Sequence, residues 1–119
     1  MTGIATGLGL DIVEIRRIER LARRNPRFLR RIFTEQEVRY CQTKKNRWQH
    51  FAARFAAKEA VWKALGQEGV PLTDISVRRD LDGRPEVLLR GRLAKNIRLS
   101  ISHSDQYAVA VAICNPGKR

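Results

Sequence analysis

Two carboxylates interrupt stretches that are otherwise apolar, and the residues around them suggest phosphate chemistry. In Arg54-Phe55-Ala56-Ala57-Lys58-Glu59-Ala60-Val61-Trp62-Lys63-Ala64-Leu65-Gly66, the aromatic residues Phe51, Phe55 and Trp62 recur at helical spacing. Glu59 falls within that stripe, where an unpaired charge would be costly to bury. The helix alone admits a simple solution, an ion pair between Glu59 and Lys63 one turn later on a half-exposed face. Near the N-terminus, Ile4-Ala5-Thr6-Gly7-Leu8-Gly9-Leu10-Asp11-Ile12-Val13 reads as a buried strand interrupted by one acid and followed by a basic helix. Two acids among apolar residues, with Arg17, Lys58 and Lys63 nearby in sequence, are what a divalent cation bridging to a phosphate requires. Asp11 has a second reading, as the N-cap of a helix starting near Val13 or Glu14.

The elements that must position these groups follow from periodicity and capping. A strand is expected over about Ile4 to Val13, then helices near Glu14 to Arg23, Pro26 to Ile32 and Glu35 to Gln42. Thr34 with Glu37 makes a capping box for the last of these. After a polar loop from Thr43 to Arg47, a central helix runs from about Trp48 to Leu65 and ends at Gly66. Ile75 to Arg79 and Glu86 to Leu89 alternate as strands joined by the Asp82-Gly83 turn. A short basic helix is expected around Arg92 to Asn96, then a second antiparallel pair, Ile97 to Ser102 and Tyr107 to Cys114, and a frayed tail from Asn115 to Arg119. The expected class is α+β, a single domain over residues 1–119 with an antiparallel sheet packed around one long central helix.

Composition narrows the setting. No apolar run approaches the roughly 20 residues of a membrane span, and no basic region precedes an apolar one as in a signal peptide. Cys41 and Cys114 are far apart and outside any metal-ligand spacing, which reads as reduced structural thiols and a cytoplasmic protein. The net charge of +12 asks for an acidic partner. Much of that charge lies between Arg16 and Arg31, spread through a helical pattern with Ile15, Ile18 and Leu21 inside. Nucleic acid is the general expectation for such a face, and a merely solvated helix is the alternative. No aromatic residues are interleaved with these arginines, and no nucleic-acid motif is present.

Four ordered motifs resemble those of the holo-acyl-carrier-protein synthases, the small bacterial type of phosphopantetheinyl transferase. Gly9-Leu10-Asp11 with Arg17-Ile18 resembles the family's G-x-D and downstream R-I. Arg54 to Ala60 with Lys63-Ala64 and Gly66 resembles R-F-A-x-K-E-A-x-x-K-A-x-G. Asp82-Gly83-Arg84-Pro85 resembles the G-[KR]-P hairpin, and Ser100-Ile101-Ser102-His103-Ser104 resembles S-[IV]-[ST]-H-[ST]. Together the motifs span most of the chain.

The resemblance implies the trimeric type of phosphopantetheinyl transferase fold. It also implies Mg²⁺-dependent transfer of the phosphopantetheine arm of coenzyme A to a serine of apo acyl carrier protein, in fatty acid biosynthesis, with release of adenosine 3′,5′-bisphosphate. On the matched positions, Asp11 and Glu59 would hold the metal and Lys63 would neutralise phosphate charge. Glu59, or a water it orients, would activate the carrier serine. Arg54 and His103 would take the 3′-phosphate, with Ser104 beside them, although His103 also reads as a turn residue satisfied by backbone. Gly66 would admit phosphate or simply cap the helix, and Pro85 would line the adenine pocket or shape its hairpin. Lys58, about one position off the Glu59 face, reads equally as an ordinary solvated lysine. Arg17 and Arg24 would face the acidic carrier protein. In this family the site lies between subunits, so Asp11, Glu59 and Lys63 would come from one chain and Arg54, His103 and Pro85 mainly from its neighbour.

Two departures from the family pattern, Trp62 and the Gly66-Gln67-Glu68-Gly69 ending, fall beside the expected phosphate site. Two other classes remain, a basic RNA- or DNA-binding module and a non-catalytic adaptor for an acidic partner. Only the transferase requires Asp11 and Glu59 together with Mg²⁺.

Overall fold

Strand β1 (Gly7–Glu14) lies directly against helix α4 (Arg47–Ala64), and glycine is what allows it to come so close. A Cβ placed on Gly7 or Gly9 would overlap the carbonyl oxygens of Ala64 and Ala60 respectively, so neither position tolerates a side chain without separating strand from helix. In the computed structural model, which describes residues 6–66 and 70–116, this contact lies at the centre of the architecture. After β1 come α1 (Ile15–Arg24), α2 (Phe28–Ile32), α3 (Glu35–Gln42) and α4. A 3-10 turn (Leu72–Asp74) then leads to β2 (Ile75–Arg79), β3 (Pro85–Leu89), β4 (Arg92–Leu93), β5 (Ile97–His103) and β6 (Tyr107–Cys114). The strands form two antiparallel sheets, ordered β1-β6-β5 and β2-β3-β4.

Helix α4 is sheathed on most sides, touching β1, β6, β5 and β2 as well as α1 and α3. Its buried positions are dominated by Ala52, Ala53, Ala56, Ala57, Ala60 and Ala64, and β6 contributes Ala108, Ala110 and Ala112 to the same core. Small side chains on both partners let backbone approach backbone, while Phe51, Val61 and Ile18 fill the remaining volume. The expected stripe of Phe55, Glu59 and Trp62 is a half-buried shoulder of the helix, and its deepest line runs through Phe51 and Lys58 instead.

Several expectations change. Strand β1 is buried on one face only: Gly9 and Val13 point inward, whereas Leu8, Leu10 and Ile12 are 67%, 60% and 65% exposed. Asp11 sits inside the strand, paired in register with Ala110, and so does not cap α1, whose N-cap position belongs to Glu14. The helix expected at Arg92 to Asn96 is absent, because Arg90 and Gly91 adopt positive φ angles of 50° and 81° and fold Arg92–Leu93 back onto β3. The antiparallel strands divide between two sheets rather than forming one. The expected capping box is present, with Glu37 N–H donating to Thr34 Oγ1 and Thr34 N–H to Glu37 Oε1. Cys41 and Cys114 are both free thiols, and burial pushes Cys41 up to about 11. Most of the tail and the Gln67 to Gly69 part of the turn lie outside the described residues.

Candidate functional site

The candidate residues gather at two poles of α4. At the first, the Gly7 and Gly9 contacts hold β1 against the helix, and Asp11, next on the same strand face, meets its C-terminal half. Lys63 Nζ donates to Asp11 Oδ1 at 3.2 Å and to the Leu10 carbonyl at 3.0 Å. The sequence suggested Glu59 as the partner of Lys63, but the lysine reaches across to β1 instead, and among the described residues Glu59 makes no ion pair. Burial raises the Glu59 pKa above the ordinary carboxylate value, the negative charge of Asp11 raises it further, and Lys63 opposes both. Two neighbouring carboxylates face one ammonium, which contacts only Asp11, so among the described residues the pole is short of positive charge.

At the second pole the imbalance is reversed. A cleft of about 270 Å³ is lined by His50 and Arg54 from α4, Arg79 from β2, Pro85 from β3 and His103 from β5. Arg54 is only 6% exposed and its guanidinium lies 4.2 Å from the centre of the Tyr40 ring, yet its Nε has no hydrogen-bond partner among the described residues. A buried cation with an idle donor is a ready anion ligand. A second cleft of about 230 Å³, lined by Gln36, Tyr40 and Arg78, adjoins the first across Arg54, Val77 and Arg79.

Between the poles, Lys58 is fully buried, which overturns its reading as a solvated lysine. Its Nζ meets Glu37 Oε1 at 2.6 Å, and Glu37 Oε2 accepts from the Val77 N–H at 2.9 Å. One carboxylate therefore caps α3, neutralises α4 and anchors the β2 residue that lines both clefts. Lys58 lies seven residues after Phe51, two full turns along the deepest line of α4, and that spacing was a usable signal in the sequence.

The remaining candidates divide. Gly66 ends α4 at φ 85° with its N–H on the Lys63 carbonyl, a conformation suited to glycine. Ser104 does not line either cleft; its hydroxyl accepts from the Gln106 and Tyr107 N–H groups and forms the β5–β6 turn. Arg17 and Arg24 are exposed on α1 and make no ion pair among the described residues, unlike Arg20 and Arg23, which pair with Glu14 and Glu19. His50 and Arg79 were not singled out from sequence, since only the fold brings them beside Arg54.

The chain belongs to the 4′-phosphopantetheinyl transferase superfamily, whose family model matches residues 7–112. Within it, the chain is 46% identical to the holo-[acyl-carrier-protein] synthase of Koribacter versatilis, over 90% of this chain and 95% of that one. It is 42% identical to the namesake of Caldanaerobacter subterraneus, over 93% and 95%. Among solved structures, the Bacillus anthracis synthase in complex with CoA (3′,5′-ADP) superposes with a TM-score of 0.79 at 38% identity, covering 92% of this chain and 97% of that one. The Chronobacterium ammoniagenes ACPS–CoA complex gives 0.81 at 30% identity, covering 97% and 100%.

Proposed function

We propose that this chain transfers the phosphopantetheine arm of coenzyme A to a serine hydroxyl of an apo acyl carrier protein, releasing adenosine 3′,5′-bisphosphate. The observation that carries this reading is the division of charge along α4: paired carboxylates with one lysine at one end and, in a cleft at the other, a buried arginine whose Nε has no partner among the described residues. A phosphorylated nucleotide attached through a pyrophosphate to a reactive arm needs both. Arg54, with His103, takes the 3′-phosphate, and Pro85 shapes the wall beside the adenine. Lys63 holds the pyrophosphate by charge, and Gly66 leaves room for it at the helix end.

Asp11 and Glu59 fit Mg²⁺, which commonly takes one or two carboxylates and fills its other positions with water and phosphate oxygens. The repulsion between Glu59 and Asp11, only partly offset by Lys63, favours a cation there. When bound, the ion neutralises charge on the pyrophosphate and its leaving oxygen. Glu59 accepts the serine proton, directly or through a water that it orients. Lys63 holds Asp11 in place.

The working unit is a homotrimer with shared sites. The outer face of the β1-β6 sheet presents Leu8, Leu10, Ile12 and Ile113 to solvent, a strip suited to a neighbouring copy. The cationic cleft contains none of Asp11, Glu59 and Lys63, so a neighbour's cleft completes the carboxylate pole. Arg17 and Arg24, unpaired and exposed, offer charge to the acidic carrier protein. We place the reaction in the cytoplasm, in the service of fatty acid synthesis. In support, both thiols are free, and no described helix is long and apolar enough to cross a membrane.

The test is the mass of an apo acyl carrier protein after incubation with the purified protein, coenzyme A and Mg²⁺, alongside Glu59→Ala. A gain of one phosphopantetheine that needs both Mg²⁺ and Glu59 supports the reading. An unchanged mass with several carrier proteins and a correctly assembled oligomer overturns it.

A further inference from the structure

The cleft contains two imidazoles, and the reading above uses only one. His50 lies one turn before Arg54 on α4 and lines the same cleft, with Arg79 on β2 and His103 on β5 across from it. From α3, Tyr40 meets the His50 ring edge-on at a centroid distance of 5.9 Å. No carboxylate lines this cleft among the described residues. We propose that His50 is a further ligand of the 3′-phosphate of coenzyme A and takes up a proton as that phosphate binds. The inference rests on the assignment of this cleft to the nucleotide end of the substrate.

The physical argument is one of charge balance. Burial, and then the positive charges of Arg54, Lys44, Arg79 and His103, hold the His50 imidazole below its ordinary value in the free protein. His50 is therefore neutral near pH 7, when a positive charge would face four cationic or potentially cationic groups and no acid. A phosphate dianion reverses that field. It attracts the protonated imidazole and raises its pKa, and the N–H made available becomes a charge-assisted donor. Between the free and bound values, binding consumes a proton, so affinity gains a contribution as the pH falls through that window. Above both values His50 contributes nothing that depends on pH. The 3′-phosphate itself loses charge as pH falls, so the His50 contribution is read as the difference between the protein and its variants.

The experiment is calorimetric titration of the assembled protein with coenzyme A and with dephospho-coenzyme A. It is run at pH 6.5 and 8.0 in two buffers of different ionisation enthalpy. His50→Gln and His50→Phe are compared with the unchanged protein, the second because it keeps a ring against Tyr40. At pH 6.5 both variants should lose proton uptake and bind coenzyme A about two- to fivefold more weakly, as a one-unit pKa rise on binding gives at a pH just above the free value. At pH 8.0 the loss should be less than about twofold, and with dephospho-coenzyme A it should vanish at both pH values. Equal affinity and proton uptake in both His50 variants, while Arg54→Gln weakens binding, would overturn the role of His50 alone. If Arg54→Gln also binds normally, the nucleotide is not in this cleft, and the assignment beneath the inference falls with it.

Discussion

The two poles of α4 are built from one 18-residue helix but solve opposite problems. The carboxylate pole is assembled between α4 and β1, with Lys63 as its single bridging cation. The cleft at the other end draws from α4, β2, β3 and β5, and its charged side chains are all basic. Each pole is left unbalanced toward the ligand charge it would meet. Lys58, between them, has its charge fully satisfied by Glu37. The comparison teaches that the sign of the imbalance, more than the number of charged residues, separates a binding group from a structural one in this helix.

The comparison can be broken most severely at its middle. Lys58→Met leaves Glu37 buried and unpaired, which should cost about 3–5 kcal/mol in urea unfolding. Adding Glu37→Gln should recover part of that loss and keep the cap on α3, because an amide oxygen still accepts from the Thr34 N–H. If Lys58→Met were as stable as the parent, the pair would not be the strut between α4 and β2.

A milder intervention separates function from stability at the carboxylate pole. Glu59→Gln should lower the transfer rate by about 10²- to 10³-fold. Without Mg²⁺ it should also raise the melting temperature at pH 7. Because the Glu59 pKa is raised in the folded state, the associated stability is full below the unfolded value and lost as pH rises through the folded one. The variant's advantage should therefore disappear in acid. Added Mg²⁺ should stabilise the parent and not Glu59→Gln, and a thermal scan with equal Mg²⁺ stabilisation of both would remove Glu59 from the metal site.

The smallest effect is expected outside both poles. Arg17→Ala with Arg24→Ala should raise KM for the carrier protein about three- to tenfold while leaving that for coenzyme A unchanged. The same pair of changes at Arg20 and Arg23, already paired with Glu14 and Glu19, should do less. Steady-state kinetics with each substrate varied in turn checks this, and equal effects from both pairs would mean that net charge alone guides the carrier.

The sequence revealed what depends on short spacing. Helix α3 and strands β2 and β6 fall on the expected residues, because capping and alternation are local signals. The meeting of Asp11 and Lys63 followed from motif resemblance, since 52 residues separate them. The Arg92–Leu93 strand was missed because Arg90 adopts a left-handed conformation that its residue type does not advertise. Lys58 was misread for a different reason. Its neutralising carboxylate arrives from α3, 21 residues earlier, and already had a local explanation as a cap. His50 likewise gains significance only when β2 and β5 close around it.

Strand β1 has one consequence for how this chain can vary. Its odd-numbered residues place Gly9 and Asp11 against α4, and its even-numbered residues present Leu8, Leu10 and Ile12 outward. The acid of the carboxylate pole and the exposed apolar strip are thus tied to the parity of a single strand. Inserting or deleting one residue between Gly9 and Asp11 would turn the acid to the outer surface and drive a leucine or isoleucine toward the helix backbone. Changes of length in this segment are therefore tolerated only in pairs or beyond its ends, and neither property can drift in register without the other.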